Sequence, residues 1–182
     1  MSGEEQQIMT IMYNPASYTH TSHLPELLRH EHQNKTLLNF WLLRHGKLCH
    51  LPDNWHPADI ALSHLLSCWQ QLPIVAHLTG GYLLRHRLLE QSALLMTDPR
   101  LLAFISLPLL HTIKLDDNEL PLDTVSCGLT FILGQFPSLP EALRQRLQLL
   151  FPAGITPAPF SAFRTLHHIN LLQMALTYAY HY

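Results

Sequence analysis

The sequence has few β-branched residues, since two Val and nine Ile stand against 39 Leu in 182 residues. Strands favour β-branched side chains, whereas Leu loses little rotamer freedom in a helix. The scarcity of Val and Ile therefore excludes a sheet-rich fold and predicts an all-α protein. Pro and Gly residues divide the chain into about eight helices joined by short turns.

Charge is also scarce, because only 13 % of the residues are charged and the 11 Lys and Arg are scattered. A nucleic-acid-binding protein usually carries a basic stripe, so no nucleic-acid partner is expected. Cys49, Cys68 and Cys127 include no CxxC pair, which indicates free thiols in a reducing compartment. The most apolar run, residues 101–110, contains Pro108 and falls short of the roughly 20 residues of a membrane span. We therefore expect a soluble cytoplasmic protein without membrane insertion.

Motifs that carry chemistry are missing from the sequence. Neither GxGxxG, a phosphate-binding loop ending in Lys-Ser or Lys-Thr, GxSxG nor HExxH occurs. His64 and Cys68 lie one helical turn apart, but a metal site needs further ligands and no second spaced pair is evident. The carboxylates of residues 116–119 read as a solvated acidic loop. We therefore expect no enzyme activity, no catalytic residue, no metal and no cofactor.

The pattern of apolar residues predicts the organisation of the chain. Residues 1–10, which are polar and acidic at their start, are expected to be a flexible leader and not a signal peptide. Residues 11–182 are expected to form one compact helical domain. Helices are predicted at the following places: from Pro25 through Leu28, over 35–44, from Pro57 with Asp59 in its first turn to Pro73, over 82–96 after a break at Gly80-Gly81, after an Asp98 N-cap, from Pro121, after a Ser138-x-x-Glu141 capping box, and over 160–178.

Two segments resemble a known family. The string Tyr13-Asn14-Pro15-Ala16-Ser17-Tyr18, followed by Leu24-Pro25, looks like an aromatic-x-Pro-Ala-x-Tyr opening, and residues 127–133 resemble a Gly-Leu-x-Phe-x-Leu segment. The basic helix over 141–150 and the closing Phe151-Pro152 follow in the same order. Over most of residues 11–152 the chain thus resembles the SctK-type (YscK, OrgA and MxiK-like) adaptors of bacterial type III secretion injectisomes.

The resemblance implies a structural role. Such adaptors belong to the sorting platform at the cytoplasmic face of the inner membrane. They join the cytoplasmic domain of the ring protein SctD to pods that contain SctQ, SctL and the SctN ATPase. The family has no catalytic residue, so the expected partners are proteins.

Five residues are candidates for partner binding: Tyr13, Pro15, Tyr18, Arg85 and Arg87. The first three have a competing interpretation as packing residues that hold the N-terminal segment on the core. The two arginines either line an apolar groove or form the solvent face of their helix. The competing function is a helical type III secretion chaperone or regulator that binds an exported substrate, although such chaperones are typically smaller and more acidic.

Overall fold

The computed structural model describes residues 2–28, 34–90, 98–108, 123–157 and 166–181. These residues contain helices and turns and no strand, which confirms the predicted all-α class. The helices are α1 (Gly3–Tyr13), α2 (Lys35–His45), α3 (Ile60–Ser67), α4 (Leu72–Leu83), α5 (Arg85–Glu90), α6 (Pro99–Ile105), α7 (Thr124–Gln135), α8 (Glu141–Leu149) and α9 (Leu166–His181). Short 3₁₀ turns cover Pro15–Ser17, Thr21–His23, Glu26–Leu28 and Trp69–Gln71.

Helix α1 occupies most of the segment that the sequence analysis expected to be a flexible leader. Ser2 is its N-cap and forms a capping box with Glu5, in which each side chain accepts a hydrogen bond from the other residue's main-chain N–H. Glu4 and Glu5 lie in the first turn, where their negative charge interacts favourably with the positive end of the helix dipole. Ile8, Ile11 and Met12 are buried, so the polar start of the sequence belongs to a packed helix.

The chain forms two compact units, and each combines two segments of the sequence. Unit 1 contains Met1–Gln70 and Ser138–Ile155, and unit 2 contains Gln71–Pro137 and Thr156–Tyr182. The expectation of one domain over residues 11–182 concerns how the units associate, and it stays a prediction.

Unit 1 is built on α1, which packs against α3 and α8. After α1, residues 14–28 follow a series of 3₁₀ turns. Their main chain is held by α8, since the N–H of His20 donates to the carbonyl of Leu149 over 2.7 Å. A small apolar cluster of Leu24, Leu38 and Leu42 fixes α2 to these turns.

Unit 2 is built on the close packing of α4 against α7, with α9 also contacting α4. A Cβ atom on Gly80 would overlap the carbonyl oxygen of Thr124, and one on Gly128 would overlap the carbonyl of Ala76. The two helix backbones therefore touch, which only residues without a side chain permit. Gly80-Gly81 lies inside α4 and not at a break, so the predicted hinge is wrong.

Other predicted boundaries have mixed outcomes. The helix over 35–44 and the Asp98 N-cap are confirmed, because Asp98 Oδ1 accepts a hydrogen bond from the N–H of Leu101. Pro73 lies in the first turn of α4 and does not end a helix, since its missing N–H needs no partner there. Asp59 is the N-cap of α3. The Ser138 capping box is wrong, because Pro140 occupies the N-cap position of α8 without a side-chain hydrogen bond.

Some predictions fall outside the described residues. They are the acidic loop over 116–119, the helix start at Pro121, the end of the helix near Met96 and the start of the last helix at Phe160.

Candidate interaction surfaces

The aromatic opening of the sequence lies at the end of α1 and in the turn that follows. The Tyr18 hydroxyl donates a 2.6 Å hydrogen bond to the carbonyl of Ile11, and its ring packs edge-on against Trp69 at 5.9 Å. Burial raises the pKa of Tyr18 above its ordinary value, and the charge of Arg146 opposes this rise. Pro15 is buried as well, whereas Tyr13 is 48 % exposed. Of these three candidates, Tyr13 therefore has the most surface for a partner.

Arg146 joins the end of α1 to α8 and to the chain at Cys49. The sequence did not indicate this role. The Arg146 side chain is fully buried on α8 and donates to three main-chain carbonyls: Met12 from Nε and Nη2 at 3.1 and 3.0 Å, and Cys49 and Ala142 from Nη1, each at 2.9 Å. Burial lowers the pKa of Arg146, yet a guanidinium stays charged in proteins. The carbonyl of Met12 lies in the last turn of α1, where the helix dipole favours a cation.

The two candidate arginines lie on α5 in unit 2. Arg85 places its guanidinium carbon 4.2 Å from the ring centre of Tyr82 and donates from Nη1 to the carbonyl of that residue over 2.9 Å. Arg87 is half-buried. Burial and the Asp123 carboxylate raise the pKa of Cys127 to about 12, and Arg87 opposes this rise. Both arginines therefore make contacts within their own unit, and their role in partner binding stays a prediction.

A hydrogen-bonded chain of three side chains joins three helices of unit 2. His77 Nε2 lies 2.9 Å from Asp98 Oδ2, and His77 Nδ1 lies 2.6 Å from Thr124 Oγ1. Because a carboxylate only accepts, Nε2 carries a hydrogen and donates to Asp98. Nδ1 accepts from the Thr124 hydroxyl in a neutral ring and donates to it in a charged ring. The chain links α4, the N-cap of α6 and the first residue of α7. We interpret it as a tie between helix ends.

The surroundings of Asp98 at this tie lower its pKa. Partial burial opposes its ionised form, but hydrogen bonds from the Leu101 N–H and from His77, together with the charge of His77 and the Arg100 N–H, hold its pKa below the ordinary value. A surface pocket of about 380 Å³ lies beside the pair and is also lined by Pro73 and Ile74.

A second depression, of about 570 Å³, lies between α1 and α3 in unit 1. It is lined by Gly3, Glu4, Gln7, Ile60, Ser63, His64, Leu66 and Ser67. Gln7 spans its floor by donating to the carbonyl of Leu66 over 3.1 Å. Ile60, at the start of α3, is 85 % exposed at its edge.

In the described part of the chain no three His, Cys, Asp or Glu side chains are placed to hold a metal ion. Cys68, one partner of the His64–Cys68 pair, is buried. None of the helices in the described ranges is both long and apolar enough to cross a membrane.

The described residues define an all-α protein. Residues 8–181 match the model of a family described as "Bacterial type III secretion apparatus protein (OrgA_MxiK)", and the chain belongs to this family. The chain is 32 % identical over 184 residues to the oxygen-regulated invasion protein OrgA of Salmonella typhimurium strains LT2, SL1344 and 14028s, covering 94 % of this chain and 86 % of that protein. No solved structure matches the chain. The resemblance found in the sequence is thus confirmed.

Proposed function

We propose that this protein is a non-enzymatic cytoplasmic adaptor of a bacterial type III secretion system. In this role it links the cytoplasmic domain of the inner-membrane ring protein SctD to the pods of SctQ, SctL and SctN. It acts at the cytoplasmic face of the inner membrane through protein contacts alone. The observation that carries the proposal is the family match, which extends over residues 8–181 and so includes both units.

The surfaces of the molecule support a binding role. Several large apolar side chains are exposed on the helices of the described residues, among them Met9, Tyr13 and Phe40 in unit 1 and Leu102 and Tyr180 in unit 2. Covering exposed apolar side chains with a partner lowers the free energy of the complex. A connector between two assemblies needs separate surfaces for each partner, and each unit offers such side chains.

Direct binding measurements test the proposal. Purified full-length protein is mixed with the cytoplasmic domain of SctD and, separately, with SctQ from the same secretion system, and complexes are detected by size-exclusion chromatography and calorimetry. We expect a complex with each partner at micromolar concentrations. Absence of binding to both contradicts the adaptor role. Capture of one exported protein with no binding to SctD or SctQ favours the chaperone or regulator instead.

A further inference from the structure

Helix α2 carries apolar side chains on two opposite faces. Leu38 and Leu42 point into the small cluster of unit 1 and are buried. Leu37 and Phe40 are 50 % and 58 % exposed. On their side of the helix also lie Trp41, which is half-buried against the cluster, and Arg44, which is exposed.

These four residues form one continuous stripe. Leu37, Phe40, Trp41 and Arg44 follow the i, i+3, i+4, i+7 spacing, which places side chains above one another along a helix. We call this stripe the outward face of α2. The core of unit 1 uses Leu38 and Leu42 on another side of the helix. On the outward face Trp41 packs partly against that core, whereas Leu37, Phe40 and Arg44 stay exposed.

The aromatic side chains of the outward face are held in place by their neighbours. The guanidinium carbon of Arg44 lies 5.4 Å from the ring centre of Phe40, and the rings of Trp41 and His45 stack at 5.0 Å with a 19° angle between planes. Aromatic and Arg side chains dominate the binding energy of protein interfaces. Because the rings are already positioned, less conformational entropy is lost when a partner docks.

Charge indicates the chemistry of that partner. Lys35, Arg44 and Lys47 lie on α2 or just after it, and the sequence contains no Asp or Glu from residue 34 to residue 52. Within the described residues no carboxylate lies within ion-pair distance of these three cations. Arg44 lies on the outward face, and Lys35 and Lys47 lie near the two ends of the helix. The apolar centre is therefore flanked by cations, which favours an acidic partner.

We propose that the outward face of α2 docks an acidic segment of a partner subunit, with a large apolar side chain of that segment against Leu37 and Phe40 and a carboxylate against Arg44. The proposal rests on the adaptor role and specifies one of its surfaces. A protein segment is favoured over an anionic membrane because lipid-binding basic patches usually contain about four to eight Lys or Arg. Only three are present here, and Trp41 is partly covered by the protein itself.

Four variants of the full-length chain test this surface. Phe40→Ala removes the apolar centre, Arg44→Glu reverses the charge, and Arg44→Lys keeps it. Ile60→Ala is the matched control, because Ile60 is a still more exposed apolar residue on another helix of unit 1. Binding of each variant to the SctD cytoplasmic domain and to SctQ is measured by biolayer interferometry at low and high salt. Circular dichroism melting checks that the variants fold, which we expect because Phe40 and Arg44 are exposed.

For one of the two partners we expect Phe40→Ala and Arg44→Glu each to weaken binding by about tenfold or more. Arg44→Glu also reduces the salt dependence of binding, since screening acts on the lost charge pair. Arg44→Lys retains more affinity than Arg44→Glu, and Ile60→Ala stays within about twofold of the unaltered protein, as energetically neutral surface positions do.

Three results overturn the proposal and can be told apart. If the unaltered chain binds and both Phe40→Ala and Arg44→Glu bind equally well, the outward face is not a docking surface while the adaptor role stands. If the unaltered chain binds neither partner, the adaptor role fails and the surface assignment fails with it. If Phe40→Ala instead abolishes self-association in sedimentation, or binding to phosphatidylserine vesicles, the occupant is a second copy or a membrane.

Discussion

The two units reach specific packing by opposite means. In unit 1, long polar side chains reach main-chain carbonyls across the sequence, as Arg146 does to Met12 and Cys49. In unit 2, side chains are absent at the decisive point, because α4 and α7 meet at Gly80 and Gly128. The first arrangement depends on one buried side chain and the second on two missing ones.

This difference teaches that similar Leu-rich helices do not by themselves define how they pack. Leu residues supply the apolar area in both units, yet their shape alone tolerates many crossings. Arg146 selects one arrangement, because in others the carbonyls that it pairs would lack its donors. The two glycines select the close crossing, because at other points of these helices Cβ atoms would overlap the facing backbone. Substitutions at these positions are therefore the direct way to test the comparison.

The largest expected effect follows from Gly128→Ala in unit 2. The added Cβ would overlap the backbone of Ala76, so the two helices must separate. We expect a loss of about 3 kcal/mol in the free energy of unfolding, at the upper end for overpacked sites. Urea unfolding followed by circular dichroism measures it. Gly3→Ala is the control, since no atom lies within 4 Å of a Cβ there; equal stability of the two variants would show that the close crossing is not required.

Unit 1 is tested by Arg146→Met, which keeps the side-chain volume but removes every donor. The carbonyls of Met12 and Cys49 then lose their guanidinium partner. Met12 is buried, and a buried carbonyl without a partner costs roughly 1–3 kcal/mol, whereas the carbonyl of the exposed Cys49 can bond to water. We therefore expect a loss of about 2 kcal/mol in the same unfolding measurement. Arg144→Met on the same helix serves as the comparison, because Arg144 is only half-buried and donates to Leu139. If the Arg146→Met protein is as stable as the Arg144→Met protein, the hydrogen bonds of Arg146 do not determine the stability of unit 1.

The smallest effect concerns the tie between helix ends in unit 2. Asp98→Ala removes the N-cap of α6 and the partner of His77, and we expect a loss of about 1 kcal/mol at neutral pH. Asp98→Asn keeps the cap, since Asn is also a good N-cap, and removes the charge together with the oxygen that accepts from His77. Because the folded-state pKa of Asp98 is lowered, the stability from its charge is complete above the ordinary carboxyl value of 3.8 and is lost as the pH falls through the folded value.

The unfolding free energies of the unaltered and Asp98→Asn proteins are therefore compared over the acid range in which the Asp98 carboxylate takes up its proton, below the range in which histidine side chains ordinarily titrate. Their difference should shrink in acid. A difference that grows as the pH falls would contradict the assignment of the lowered pKa to this tie.

The sequence predicted helix positions best where a local signal set them. Asp98-Pro99 and Lys35–His45 were placed correctly, because an N-cap followed by proline and a regular apolar spacing depend only on neighbouring residues. Gly80-Gly81 was misread, since a glycine pair that breaks a helix and one that admits a second helix look the same locally. The difference depends on Thr124 and Gly128, more than forty residues away in the sequence.

The candidate surfaces were harder to predict for the same reason. In the sequence Arg146 is one basic residue of an amphipathic helix. No neighbouring residue indicates that its donors bind two carbonyls about a hundred or more residues away. Trp41 packs against Leu38 and Leu42, but it also borders the exposed Phe40. Which side of α2 is covered depends on the turns before it, whose Pro and His residues carry no apolar period.

The guanidinium of Arg146 joins parts of the chain that are made at very different times. Translation produces α1 and Cys49 early, but their carbonyls meet this donor only when α8 has emerged, after all of residues 71–137. Domains generally fold as units during synthesis, so unit 1 cannot complete its core while the ribosome is still making α4 to α7. The first helices of unit 1 therefore lack the contacts of Arg146 through the greater part of elongation. A chain that stops before Arg146 leaves the carbonyls of Met12 and Cys49 without this donor.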